Sequence, residues 1–370
     1  MAKNTDQLPF TEIVERVREI ARIASDNDRP RARGAVNDVY ARKIPAEEDW
    51  TFLLVSSAIT CDRPVSDGTV TVNTGDSTVQ LSSTSLGSAN TGWRVKLNDN
   101  ADVYTLTYVN ATTMTINPSL SEGQNIANGA YVAFNPFYAL ATNFDRFPKN
   151  GGFLFYQGGR ITAIPEQREQ KYYQDYTPQP NSVPAHCRPV TMGTSGVPIY
   201  EIVPPPLKAY NLPYEYLKRP EQLRESTAGW VTIDAGSTVV VGSPGFSRFT
   251  EAQTGWYFRV DAFGQGADSE WYRIISIAHN SSLTLQTAFG MSGAVSAGYT
   301  LCPAPDYPVK VQPAIMFGAI TVITADQNDE LYQFYNARYT ETLSDAKRTF
   351  KTRIYPQEVE TVFEDFQYRR

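Results

Sequence analysis

The chain has 370 residues, 41% hydrophobic and 12% aromatic, which is enough to bury cores and too much for a disordered tail. Its 33 basic and 39 acidic residues leave a net charge of −6, which excludes a protein held to nucleic acid by bulk positive charge. The opening MAKNTDQLPF has no signal-peptide core, and the longest apolar stretch, 314–323, is about half a bilayer span.

From the N-terminus, Ile13, Val14, Val17, Ile20, Ala21 and Ile23 recur at helical spacing and predict a helix over 9–24, with Thr11 as its cap. Arg29, Arg31 and Arg33 form the one tight basic cluster. It reads either as a solvated connection between helices or as a contact for phosphate or an acidic partner, since the guanidinium fork binds both. A second helix is predicted over 35–43, with Val36, Val39 and Tyr40 inward.

A repeat follows. GTVTVNTGDSTVQL at 68–81 and GWVTIDAGSTVVV at 229–241 both alternate apolar with polar residues around a glycine turn, the pattern of a hairpin with one buried face. Val70 and Val72 align with Val231 and Ile233, and Val79 and Leu81 with Val239 and Val241. Further on, Trp93 aligns with Trp256, Tyr104 with Tyr272, and GAYVAF at 129–134 with AGYTLC at 297–302. Two copies of an all-β module of roughly five or six strands are expected, over 58–135 and 228–304, each closing as a small barrel or sandwich with its tryptophan in the core.

Between the copies, 136–227 holds strand-like pieces at 153–157, 160–164, 198–203 and 209–217, and Pro204–Pro206 reads as a stiff spacer. After the second copy, Pro313 opens an apolar segment, and Asn328 or Asp329 caps a helix over 329–350. That helix carries Leu331, Phe334, Tyr335, Tyr339, Leu343, Ala346 and Phe350 on one stripe. The segment 351–370 is too aromatic to float free, so it folds back or inserts into a neighbour. The expected fold is therefore α+β. Helices of 1–57 and 305–350 form a bundle, 136–227 supplies a small central sheet, the two β modules are inserted, and 351–370 is a tail.

Little in the sequence promises chemistry. His186 and His279 are the only histidines, so histidine-based hydrolysis has few ways to be assembled. Cys61, Cys187 and Cys302 are scattered and odd in number, which indicates neither a disulfide framework nor a zinc site and fits a reducing compartment. Gly264 and Gly266 lack the third glycine of a dinucleotide fingerprint, and Gly193-Thr194-Ser195-Gly196 is no nucleophile elbow. The oxygen-rich turn Asn98-Asp99-Asn100-Ala101-Asp102, and Asp261, Asp268 and Glu270 in the second copy, read as polar turns, and His186-Cys187 as an ordinary loop. No catalytic, cofactor or metal site is expected.

Several motifs then occur in a familiar order. Asp49-Trp50-Thr51-Phe52 closes the N-terminal helices, followed by Gly158-Gly159-Arg160-Ile161, Pro198-Ile199-Tyr200-Glu201-Ile202, Pro204-Pro205-Pro206 and Leu212-Pro213-Tyr214-Glu215-Tyr216-Leu217-Lys218-Arg219-Pro220, before the C-terminal helices. This layout is similar to the head-to-tail adaptor (tail tubular protein A-like) proteins of tailed bacteriophages. The resemblance covers about 190 residues of helices and central strands and leaves out the β modules. It implies a non-enzymatic virion protein, made in the host bacterial cytoplasm and placed at the head–tail interface. It implies a ring, usually of twelve copies, docked under the portal protein, with tail nozzle or fibre proteins as further partners. Viral DNA would pass through without sequence-specific binding, and no membrane is involved. The portal-binding residues would be Tyr355, Phe363, Phe366 and Tyr368, with Arg369 and Arg370 as charged anchors. The rival reading from the residues is a tail fibre or host-glycan-binding protein that uses its repeated β modules.

Overall fold

The structure, a computed structural model, describes residues 7–23, 25–98, 102–121, 125–148, 154–156, 159–163, 184, 186–193, 196–245, 247–261, 270–325 and 329–351. The fold is α+β, with two curled seven-stranded antiparallel sheets and few helices. The chain divides into two compact units, one of residues 1–53 with 219–370 and the other of 54–218.

In the first unit, helix α1 (Phe10–Ile20) buries Phe10, Ile13, Val14 and Val17 along one stripe. Extended Pro9, with no side-chain hydrogen bond, stands at its N-cap, so Thr11 is a buried first-turn residue and not a cap. Helix α2 (Arg29–Asp38) starts six residues before the expected position, because Pro30 fits a first turn that needs no amide donor. It runs through a π-helical turn, Val39–Lys43, into the short α3 (Ile44–Glu47). Helix α4 (Gln312–Thr324) buries Ala314, Ile315, Gly318, Ala319, Ile320 and Ile323, and α1, α2 and the long α5 (Asp329–Phe350) all pack on it. Gly318 permits that closeness, since a Cβ there would stand 2.8 Å from Val39 Cγ1 and 2.9 Å from Tyr339 Cε2. On α5, Leu343 and Ala346 are buried and Leu331, Tyr335, Tyr339 and Phe350 half-buried, with Tyr335 against Phe317 of α4, so the expected inward stripe departs at Phe334 alone, which is 54% exposed.

In the unit of 54–218, β1 (Leu54–Thr60) opens the chain, followed by β2 (Val70–Val72), β3 (Thr78–Leu81), β4 (Arg94–Leu97), β5 (Val103–Asn110), β6 (Thr113–Asn117), β7 (Ile126–Gly129) and β8 (Tyr131–Phe134). Then come β9 (Phe137–Ala139), β10 (Phe144–Arg146), β11 (Phe155–Tyr156), β12 (Gly159–Arg160), β13 (Thr162–Ala163), β14 (His186–Met192), β15 (Pro198–Val203) and β16 (Asn211–Lys218). The expected single central sheet is instead a three-stranded sheet, β1-β16-β10, a four-stranded sheet, β13-β14-β15-β9, and the ribbon β11-β12. Strand β1 was not foreseen. It pairs with β16 from Leu54↔Leu217 to Thr60↔Asn211, a partner about 150 residues away that no local pattern announces. Ile59, Leu154, Ile202, Leu212 and Tyr214 share the core of these strands.

The first seven-stranded sheet has the order β7-β2-β3-β6-β5-β4-β8. The second, in the other unit, comprises β17 (Val231–Ile233), β18 (Val239–Gly242), β19 (Tyr257–Val260), β20 (Tyr272–His279), β21 (Ser282–Leu285), β22 (Ala294–Ala297) and β23 (Tyr299–Cys302), in the matching order β22-β17-β18-β21-β20-β19-β23. In each, the two end strands are consecutive in the chain and one residue apart, so a single run, 126–134 or 294–302, completes both margins of the curled sheet. The hinge of each run lies beside a residue of positive φ, Asn128 at 52° and Ser296 at 50°. Gly75 and Gly236 take positive φ in the corresponding hairpin turns.

One alignment of the repeat needs correction. Val70 faces Leu81 across its hairpin, and Val231 faces Gly242, so Val79 corresponds to the fully buried Val240. Val239 and Val241 lie on the outer face, 46% and 54% exposed. Three consecutive valines hide the alternation, and a one-residue slip exchanges faces. Trp93 and Trp256 are partly buried and pack against the cores of their sheets.

Candidate functional site

Arg29 and Arg33 lie one helical turn apart on α2, so both guanidinium groups emerge from one face. Arg29 stands 3.2 Å from Glu15 of α1 and 3.6 Å from Glu225, and Arg33 pairs with Glu225 directly. Glu225 is the centre of the arrangement. Its side chain is 7% exposed and accepts a hydrogen bond from Thr11 Oγ1 at 3.0 Å. Glu15 also takes Arg18 at 2.9 Å. The result is an alternating chain, Arg18–Glu15–Arg29–Glu225–Arg33, that ties α1 and α2 to the stretch following Arg219 and leaves one positive charge in excess. Burial, together with the neighbouring charge of Arg29, holds Arg33 below the usual guanidinium range. Arg31 turns elsewhere and donates to the Ile323 carbonyl at 3.2 Å, in the last turn of α4.

The arginines therefore sit on a helix and not in a connection, and carboxylates of their own chain meet Arg29 and Arg33. Within the cluster the charges alternate, and each carboxylate is engaged by an arginine. Sequence reasoning found the three arginines and missed Glu225 and Thr11, whose role depends on tertiary approach.

A second feature is the anchorage of the C-terminal helix. Trp50 is fully buried, donates from Nε1 to the Ile44 carbonyl at 2.6 Å, and forms a bridge with Lys351. Lys347 pairs with Glu47 at 2.9 Å and Lys351 with Glu48 at 3.1 Å, while Phe350 packs edge-on against Phe52 at 5.8 Å. The chain thus leaves α5 from a fixed point beside Asp49-Trp50-Thr51-Phe52. The expected tail residues Tyr355, Phe363, Phe366, Tyr368, Arg369 and Arg370 lie outside the described residues.

The remaining polar clusters have structural explanations where they are described. His186 and Cys187 lie on strand β14, opposite Val203 and Ile202, and not in a loop. Gly193 and Gly196 form the turn of the β14–β15 hairpin, while Thr194, Ser195, Gly158, Gly264, Gly266, Asp268, Asn328, Asp99, Asn100 and Ala101 lie outside the described residues. Asp102 accepts from Ser121 Oγ at 2.8 Å, and Asp261 from Thr300 Oγ1 at 2.9 Å. Among the described residues, no group of three or more His, Cys, Asp or Glu could hold a metal ion. Burial pushes the Cys61 thiol up to about 12 and the Cys302 thiol up to about 11, which leaves both protonated at neutral pH.

These features define an α+β protein with a doubled β module and an internally paired charge cluster. The sequence matches no protein-family profile and no curated protein. Among solved structures, it shows a likeness to translation elongation factor SelB of Methanococcus maripaludis in its apo form, at 12% identity and a TM-score of 0.15. The alignment takes in 69% of this chain and 64% of that one, and so weak a likeness carries no argument about fold or function.

Proposed function

We propose that this chain is a bacteriophage virion protein, a head-to-tail adaptor that assembles into a ring of about twelve copies under the portal, extends the DNA channel and attaches nozzle or fibre proteins. In this reading the helices of the two chain ends act as the ring-forming bundle, and the two inserted β modules are displayed as docking points for tail components. The mechanism is assembly, with no bond made or broken.

The observation that carries the reading is the anchorage of α5. Trp50, Phe52, Glu47 and Glu48 hold Phe350, Lys347 and Lys351 in place. The aromatic segment 352–370 follows directly from that fixed point. A segment presented this way by every subunit of a closed ring binds a matching ring with an affinity multiplied by valency, so each contact needs only modest strength. The ordered motifs from Asp49 to Pro220 give independent support. The net charge of −6 also suits a channel wall, since like charge keeps DNA from adhering.

The test is co-sedimentation with the portal protein of the same genome, comparing the full chain with one ending at Phe350. Binding by the first alone is expected. Equal binding moves the portal contact away from 352–370, and failure of both overturns the adaptor reading. Deleting 68–134 is expected to detach a tail component from assembled particles. Complete attachment would refute the docking role of the first module.

A further inference from the structure

Every strand at a sheet margin but one is two to four residues long. The exception is β1, the seven residues LVSSAIT at the end of the β1-β16-β10 sheet. A margin of this length is ordinarily blunted by lysine, proline, a bulge or a covering element. Strand β1 has no charged residue and no proline, and its register with β16 runs from Leu54↔Leu217 to Thr60↔Asn211 without a shift. Among the described residues, no strand lies along its other edge and no hydrogen bond reaches that edge from elsewhere in the chain.

The ladder fixes which backbone groups face outward. The Cys61 amide donates to the Tyr210 carbonyl at 2.7 Å, one step beyond the Thr60↔Asn211 pair. By alternation, Val55, Ser57 and Ile59 direct their amides and carbonyls to β16. Pro213 opposite Ala58 agrees with this phase, because proline cannot donate at a hydrogen-bonded pair. Leu54, Ser56, Ala58 and Thr60 therefore turn their N–H and C=O groups to the open edge. The side chains alternate between the two faces of the sheet. Ile59 is buried in the core of these strands with half-buried Val55 against it, while Ser56, Ala58 and Thr60 are exposed.

Length and charge select the occupant. An antiparallel copy of β1, turned about a two-fold axis at Ser57, sets Leu54 opposite Thr60 and Ser56 opposite Ala58. These are the four residues whose groups face out, so about eight backbone hydrogen bonds close across the pair. On the core-side face Val55 meets Ile59 of the second copy, and Ser57 meets its own counterpart, hydroxyl to hydroxyl. No like charges oppose one another, since β1 carries none. No other margin of this chain is long enough to engage all four positions. We propose that β1 pairs edge to edge with β1 of a second copy of this chain, joining two three-stranded sheets into one continuous sheet.

A two-fold pair closes on itself and needs neither a ring nor a portal, so its failure and that of the adaptor reading are separately observable. The test is the particle mass of the full chain, read by light scattering during size exclusion. Two chains per particle are expected, with a dissociation constant of about 1–100 µM. Ser56→Pro removes an outward amide and leaves the ladder to β16 whole. It is expected to weaken pairing about tenfold or more, with circular dichroism checking the fold. Ser57→Cys brings two thiols together at a close, non-hydrogen-bonded pair, so mild oxidation is expected to give a covalent dimer. Ser56→Cys sets its two thiols diagonally across the axis and is expected to stay unlinked. The proposal is overturned if the parent remains a single chain up to about 100 µM, if folded Ser56→Pro assembles like the parent, or if Ser57→Cys links no better than Ser56→Cys.

Discussion

Val240 is fully buried between strands of the second sheet, facing Leu283, while Val241 on the next position is 54% exposed. Replacing Val240 by alanine removes two methyl groups, worth about 0.8 kcal/mol each in transfer, and leaves a small cavity, for a loss of about 2 kcal/mol. Replacing Val241 by glutamine, the residue its counterpart Gln80 carries in the first sheet, changes stability by about 0.5 kcal/mol or less. The assay is native-state hydrogen exchange on peptides spanning 231–242, because a chain of two units need not unfold in a single step. Val240→Ala is expected to speed exchange there about thirtyfold, and Val241→Gln about twofold at most. The peptide 70–81, in the other unit, serves as the unchanged reference. If Val241→Gln opens the hairpin as much as Val240→Ala, the register is one residue out and the core face is misassigned.

Three further outcomes follow from particular contacts. Glu225→Gln leaves Arg29 and Arg33 short of a carboxylate and is expected to cost about 1–3 kcal/mol, read as a lowered melting temperature; adding Arg33→Gln should recover part of it, and strictly additive losses would refute the pairing. Gly318→Ala should destabilise by about 1–3 kcal/mol despite alanine's better helix propensity, because of Val39 and Tyr339, and Val39→Ala in the same chain should relieve it; a gain in melting temperature from Gly318→Ala alone would contradict the close crossing. Burial raises Cys61, Tyr40 and Tyr339 to about 12 and Cys302 to about 11, so these groups stay neutral in the fold after they ionise in the unfolded chain. Their contribution is whole below pH about 9 and is lost as pH rises through about 12, so melting temperatures should hold to pH about 9 and then fall, and a flat profile to pH about 11 would exclude this linkage.

The doubled module was legible because its signals are local. Alternation of period two and glycines in the turns, such as Gly75 and Gly236, need no knowledge of distant partners. The same signal failed at Val239-Val240-Val241, where an unbroken apolar run carries no phase and only the ladder assigns a face. The helix over 329–350 was readable from its stripe, yet Phe334 shows that an apolar position on a stripe is buried only where a neighbour arrives to cover it. The start of α2 was misplaced because three arginines resemble a solvated connection, and they are helical here because Glu15 and Glu225 neutralise most of their charge. Strand β1 and the carboxylate of Glu225 share one reason for escaping notice. Each acquires its role from residues far along the chain, β16 in one case and α1 with α2 in the other.

In both curled sheets the strand that completes the margins also meets the segment leading in, by the isolated bridges Val65↔Ala133 and Ser226↔Leu301. The incoming and outgoing chain thus run side by side on adjacent rungs. Splicing such a module into an existing connection adds residues without separating the flanking ends, so the conformational entropy lost in closing the connection scarcely grows with the length added. One unit could accordingly be duplicated into two different connections of the same chain, after which each copy was free to change its corners without disturbing the other.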